Sequence, residues 1–106
     1  MYLLVTATEE VPTISLVEPD DCRRFHVTIR GLTQDAAEQE LADQGIGQFS
    51  DSTTAWIKIA AIRRLAQGCV QPDWPQRFSD MLQYAGRKGW LSEDGQSVSG
   101  HCEWIE

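Results

Sequence analysis

Between residues 13 and 18 apolar Ile14 and Leu16 alternate with polar Thr13 and Ser15, and that period of two predicts a half-buried strand. Pro19-Asp20-Asp21 ends it, because proline fixes φ and lacks an N–H while aspartate bonds its own backbone in turns. The alternation resumes over residues 24–30, with Phe25, Val27 and Ile29 on one side and Arg24, His26, Thr28 and Arg30 on the other. Two strands across a short turn predict an antiparallel hairpin. Residues 2–8 are expected to add an edge strand.

The period then changes. Thr33 is placed to cap a helix over residues 34–44, with Asp35 near its positive end and Gly45 to stop it. If Gly45 is left-handed, Ile46 packs back on Leu41. This helix is thinly apolar and is expected to lean on tertiary contacts through Ala37 and Leu41. Ser50-Asp51-Ser52-Thr53 offers caps for a second helix over residues 54–67, where Ala55, Ile59, Ile62, Leu65 and Ala66 form one stripe widened by Ile57 and Ala61. Its polar edge carries Arg63, Arg64 and Gln67, with Trp56 on the same side, and Gly68 closes it. A third helix runs from Pro75 to about Lys88 along Trp74, Phe78, Met81, Leu82 and Ala85. Trp90-Leu91, the turn Glu93-Asp94-Gly95 and a strand over residues 98–104 predict a closing hairpin, with Val98, Gly100, Cys102 and Trp104 on one face.

These elements predict one α+β domain over residues 1–106. Its sheet is a small antiparallel one, made of the N-terminal hairpin and the C-terminal hairpin, and about three helices pack on one face. At 106 residues with 42% hydrophobic content, such a chain can build a core without disulfides or metal. Cys22, Cys69 and Cys102 are too scattered for a disulfide framework or a Cys-x-x-Cys pair, and they read as reduced thiols, with Cys69 and Cys102 at positions suited to small apolar residues. No apolar run approaches the length of about 18 residues that spans a bilayer. Nor does Met1-Tyr2-Leu3-Leu4-Val5 have the basic flank of a secretory signal, so a cytoplasmic protein with no membrane contact is expected.

The net charge is −7. Residues 1–50 hold nine acidic and three basic side chains and residues 51–106 seven and six, so the acidity is concentrated in the first half. Such a balance repels nucleic acid.

Candidate chemistry is sparse. His26, His101 and Glu103 lie on the polar faces of predicted strands, and two imidazoles with a carboxylate suffice for an open zinc site if those strands pair. The competing reading is a pair of solvent-facing strand histidines. Spacing argues against a Cys22–His26 nucleophile, since residues four apart on a strand are about 13 Å apart. Gly45-Ile46-Gly47 follows a helix where a phosphate loop needs a strand, so cap plus turn explains it. Residues 50–54 present N–H groups that suit an anion, yet capping accounts for them. No motif implies a cofactor. Trp56 beside Arg63 has the composition of interface hot spots.

In element order the second and third helices with the closing hairpin resemble the second half of a winged-helix domain, which implies DNA binding. The third helix exposes Gln76, Asp80 and Gln83 with few cations, which disfavours it. Ala55-Trp56-Ile57, Arg63-Arg64-Leu65-Ala66, Lys88-Gly89-Trp90 and His101-Cys102-Glu103-Trp104 resemble short uncharacterised proteins of high-GC actinobacteria, a resemblance that implies no activity. The function expected is a non-enzymatic protein-interaction or assembly module, using the surface of Trp56, Arg63, Arg64 and Gln67 toward a protein partner or a second copy. The alternatives are a small-molecule or metal-binding protein or enzyme using His26, His101 and Glu103, and the disfavoured nucleic-acid binder.

Overall fold

The computed structural model describes residues 1–7 and 12–105. The elements run β1 (Tyr2–Ala7), β2 (Pro12–Val17), β3 (His26–Arg30), α1 (Gln34–Asp43), β4 (Gly47–Phe49), β5 (Thr54–Lys58), α2 (Ile59–Ala66), α3 (Trp74–Arg87) and β6 (Ser97–Ile105). The α+β class holds, but the sheet is larger than expected and partly parallel. Six strands lie in the order β2-β1-β3-β6-β5-β4. β3 runs parallel to both neighbours, β1 and β6, while β1–β2, β4–β5 and β5–β6 are antiparallel.

The expected pairing of residues 13–18 with residues 24–30 is therefore corrected, because β1 lies between them. β1 is not an edge strand: Leu3 and Val5 are fully buried, and Leu3 pairs with Leu16 and Val27. The far end of that expected strand, Thr8, lies outside the described residues. The loop from β2 to β3 crosses the start of β1, where the Met1 amine donates to the Asp21 carbonyl at 3.1 Å.

The second expected helix is also corrected at its start. Residues 54–58 are strand β5, with Ala55 and Ile57 inward and Thr54, Trp56 and Lys58 outward, and the helical period begins only at Ile59. Thr, Trp and Ile favour a pleated surface, and both edges of β5 are taken, by β4 and β6. The closing hairpin reduces to a single bridge, Leu91 to Val98, while β6 enters the middle of the sheet rather than forming a free wing.

The helix ends follow their local chemistry. Thr33 Oγ1 accepts from Ala36 N at 3.1 Å, Gly45 has φ 66°, and Ile46 N donates to Leu41 O at 2.9 Å with Ile46 fully buried. α1 touches β4 and β2, and α2 touches β5 and β2, so the helices bridge the two ends of a curled sheet. The concave face holds the core: Leu3, Val5, Val27, Ile29, Ile57 and Val98 from the sheet, Leu41, Ile62 and Phe78 from the helices. Trp74 is buried as expected and stacks on Phe78 at 4.6 Å. Trp104 and Cys69 depart from their expected burial. Trp104 is 38% exposed at the rim, stacked on Phe49, and Cys69 is exposed just after α2. Among the described residues no helix is long and apolar enough to cross a membrane.

Candidate functional site

β5 passes into α2 without a loop, and this junction builds the most distinctive surface of the molecule. Lys58 is the last strand residue and the helix N-cap, with an extended backbone and no side-chain cap. Its amide donates to Ile46 O at 2.7 Å, and the next amide, of Ile59, donates to Gln96 O at 2.9 Å. The junction is thus pinned between the turn after α1 and the turn before β6. From it α2 turns Ile59, Ala61, Ile62 and Ala66 inward, which leaves Ala60, Arg63, Arg64 and Gln67 exposed at the i, i+3, i+4, i+7 spacing of one helix face.

Lys58, Arg63, Arg64 and Gln67 line a cleft of about 640 Å³, with Leu82 of α3 opposite and residues 94–97 at one end. The Arg63 guanidinium lies over the Phe78 ring, 5.5 Å from its centroid, a cation–π contact that fixes its stem. Arg64 Nη2 approaches Gln44 O at 3.5 Å, beside the negative end of α1. Among the described residues none of these three cations takes part in an ion pair. Asp94, the one carboxylate among the described residues that line the cleft, is engaged elsewhere: the Ser92 hydroxyl at 2.6 Å and the Gln96 amide at 3.0 Å hold it below the usual carboxylate range.

Trp56 is not on this helix. It projects from β5 between Gln48 and Ser99, half-buried, and lines a neighbouring hollow of about 250 Å³ with Ala42 and Gln48. Lys58 and Ser97 belong to both cavities, so Trp56 and the arginines still border one continuous surface. Gly47 is what lets β4 pair closely with β5 here, since a Cβ there would collide with the Trp56 carbonyl oxygen.

A larger cleft of about 830 Å³ lies on the Arg77–Tyr84 side of α3. Four of the six charged side chains that line it, Asp20, Asp21, Arg24 and Arg77, are ion-paired. Arg77 binds Asp20 at 2.7 Å and Asp73 at 3.2 Å, and Arg24 binds Asp21 at 3.3 Å. The Gln71 amide and Arg77 hold Asp20 below its ordinary value. Cys22 also lines this cleft, and burial pushes its thiol up, against the pull of Arg77.

His26 and His101 face each other in the parallel register of β3 and β6. Glu103 Oε2 lies 3.8 Å from His26 Nε2, and Tyr2 stacks on the His26 ring at 4.8 Å. The structure thus brings these three residues together on the open face of the sheet, outside all three cavities. Among the described residues no group of three or more His, Cys, Asp and Glu is arranged to hold a metal ion.

Sequence reasoning missed Lys58, Leu82 and the turn at residues 94–97. The signal for Lys58 was its place where the period changes from two to 3.6; Leu82 and the turn carried none, because tertiary packing alone brings them to α2. Comparison of the chain with protein-family models, with curated proteins and with solved structures gives no match.

Proposed function

We propose that this chain is a non-enzymatic protein-interaction module whose cleft beside α2 receives an acidic segment of a protein. The observation that carries this reading is the gathering of Lys58, Arg63 and Arg64, unpaired among the described residues, in a chain whose net charge is −7. Cations left without partners on an acidic molecule concentrate positive potential at one place, which steers a negatively charged partner to it and sets its orientation. Leu82 and Ile59 add apolar contact to the same cleft. A nucleic-acid partner fits less well, since phosphate binding rests on many neutralised charges and the surrounding surface is acidic.

The test is fluorescence anisotropy with a labelled glutamate- and leucine-containing peptide, run beside a labelled DNA oligonucleotide. The expected result is peptide binding that weakens with salt and falls roughly tenfold in an Arg63→Ala, Arg64→Ala variant. Peptide binding that is absent at low salt, equal in the variant, or exceeded by that of DNA overturns the reading.

A further inference from the structure

The acidic counterpart of the cleft is present in the chain itself. α1 contains Asp35, Glu38, Glu40 and Asp43 and no basic residue, and among the described residues none of the four is ion-paired. Asp35, Glu38 and Gln39 line a shallow hollow whose fourth wall is Ala42. Ala42 also lines the Trp56 hollow, and that hollow shares Lys58 and Ser97 with the basic cleft. The acidic hollow therefore adjoins the Trp56 hollow, and the Trp56 hollow adjoins the basic cleft.

This order has a geometric consequence. Complementary patches on opposite sides of a common centre are satisfied twice by a two-fold axis through that centre, and the contact closes as a dimer instead of growing into an open chain. We infer that a second copy of this chain docks here, with α1 of each protomer against the Lys58–Arg63–Arg64 cleft of the other and Trp56 beside the axis. Half-buried Trp56 supplies the apolar centre that salt-screened pairs at the rim do not. The inference rests on the reading of the cleft as a site for acidic segments and names the segment.

Charge reversal tests it. One variant carries Arg63→Glu and Arg64→Glu, so that its cleft and its α1 are both acidic; a second carries Asp35→Lys, Glu38→Lys and Asp43→Lys, which leaves only Glu40 acidic on α1, so that both are basic. All five positions are exposed or half-buried, and circular dichroism of each variant checks the fold. Sedimentation velocity is expected to show a dimer of the unmodified chain at low salt that weakens about tenfold or more at high salt. Each variant alone is expected to be monomeric, and an equimolar mixture to recover the dimer, because one contact then keeps its original signs and the other is restored with the signs exchanged. A monomeric parent chain, a dimer that survives in either variant, or a mixture that stays monomeric overturns the inference. Binding of the glutamate peptide is read in parallel: retained binding with no self-association removes the second copy alone, whereas loss of both removes the cleft as well.

Discussion

The cleft on the Arg77–Tyr84 side of α3 is the larger of the two beside that helix, yet four of its six charged side chains are ion-paired, whereas the cleft on the Leu82 side is smaller and its three cations, among the described residues, are in no ion pair. In the first, Asp20, Asp73 and Arg77 tie the loop between β2 and β3 to the start of α3, and Trp74 Nε1 donates to Pro19 O at 2.6 Å beside them. That chemistry holds the chain to itself. In the second, backbone amides hold the β5–α2 junction and Asp94 holds the turn before β6, while Lys58, Arg63 and Arg64, among the described residues, are in no ion pair. A cleft's size reports how elements fail to meet, while unspent charge reports what the surface can still bind.

The largest expected effect comes from Phe78, which is fully buried, stacked on Trp74 and under the Arg63 guanidinium. Phe78→Ala is expected to cost about 3–5 kcal/mol in a urea melt, the range for emptying a buried aromatic site, and to disturb both sides together. An equal effect confined to one side would break the comparison.

Next in size is the contrast between the arginines. Arg77→Ala is expected to lower the urea midpoint at neutral pH without weakening peptide binding. Arg63→Ala with Arg64→Ala is expected to do the reverse, leaving the melt unchanged and weakening the peptide roughly tenfold. Titration sharpens this. Because Asp20 is held below its ordinary value in the folded chain, its contribution is fully present above about pH 4 and is lost as the pH falls through the lower folded value. The gap between the unmodified chain and Arg77→Ala in thermal melts should close toward pH 2, with no such convergence for the Arg63 and Arg64 variant.

The smallest effect concerns the thiols. Burial pushes Cys102 up to about 11 and raises Cys22 as well, whereas Cys69 is exposed. A thiol-reactive chromophore at pH 8 should label Cys69 rapidly and the other two slowly. Rapid labelling of Cys22 would mean that its cleft is less closed by the Arg77 network than the ion pairs imply.

Local pattern determined α1, with its Thr33 cap and its Gly45 stop, and α3, with Pro75 in the first turn and the Phe78 stripe inward. It also determined the inward faces of β2, β3 and most of β6, since these depend on the period of a few neighbouring residues. Residues 54–58 were ambiguous for the same reason: Ala55, Ile57, Ile59 and Ile62 satisfy a strand followed by a helix as readily as one helix. The arginine pair and Gln67 were readable as one exposed helix face, while Trp56 was placed beside them on the wrong element. Tertiary structure alone decided that β1 separates β2 from β3, that β6 lies in the middle of the sheet, and that His26 meets His101. Pairing between distant strands is set by how all the apolar faces can be buried together, and no window of adjacent residues holds that information. The same packing set Lys58, Leu82 and the turn before β6 around the arginines, and so turned a charged helix face into a cleft.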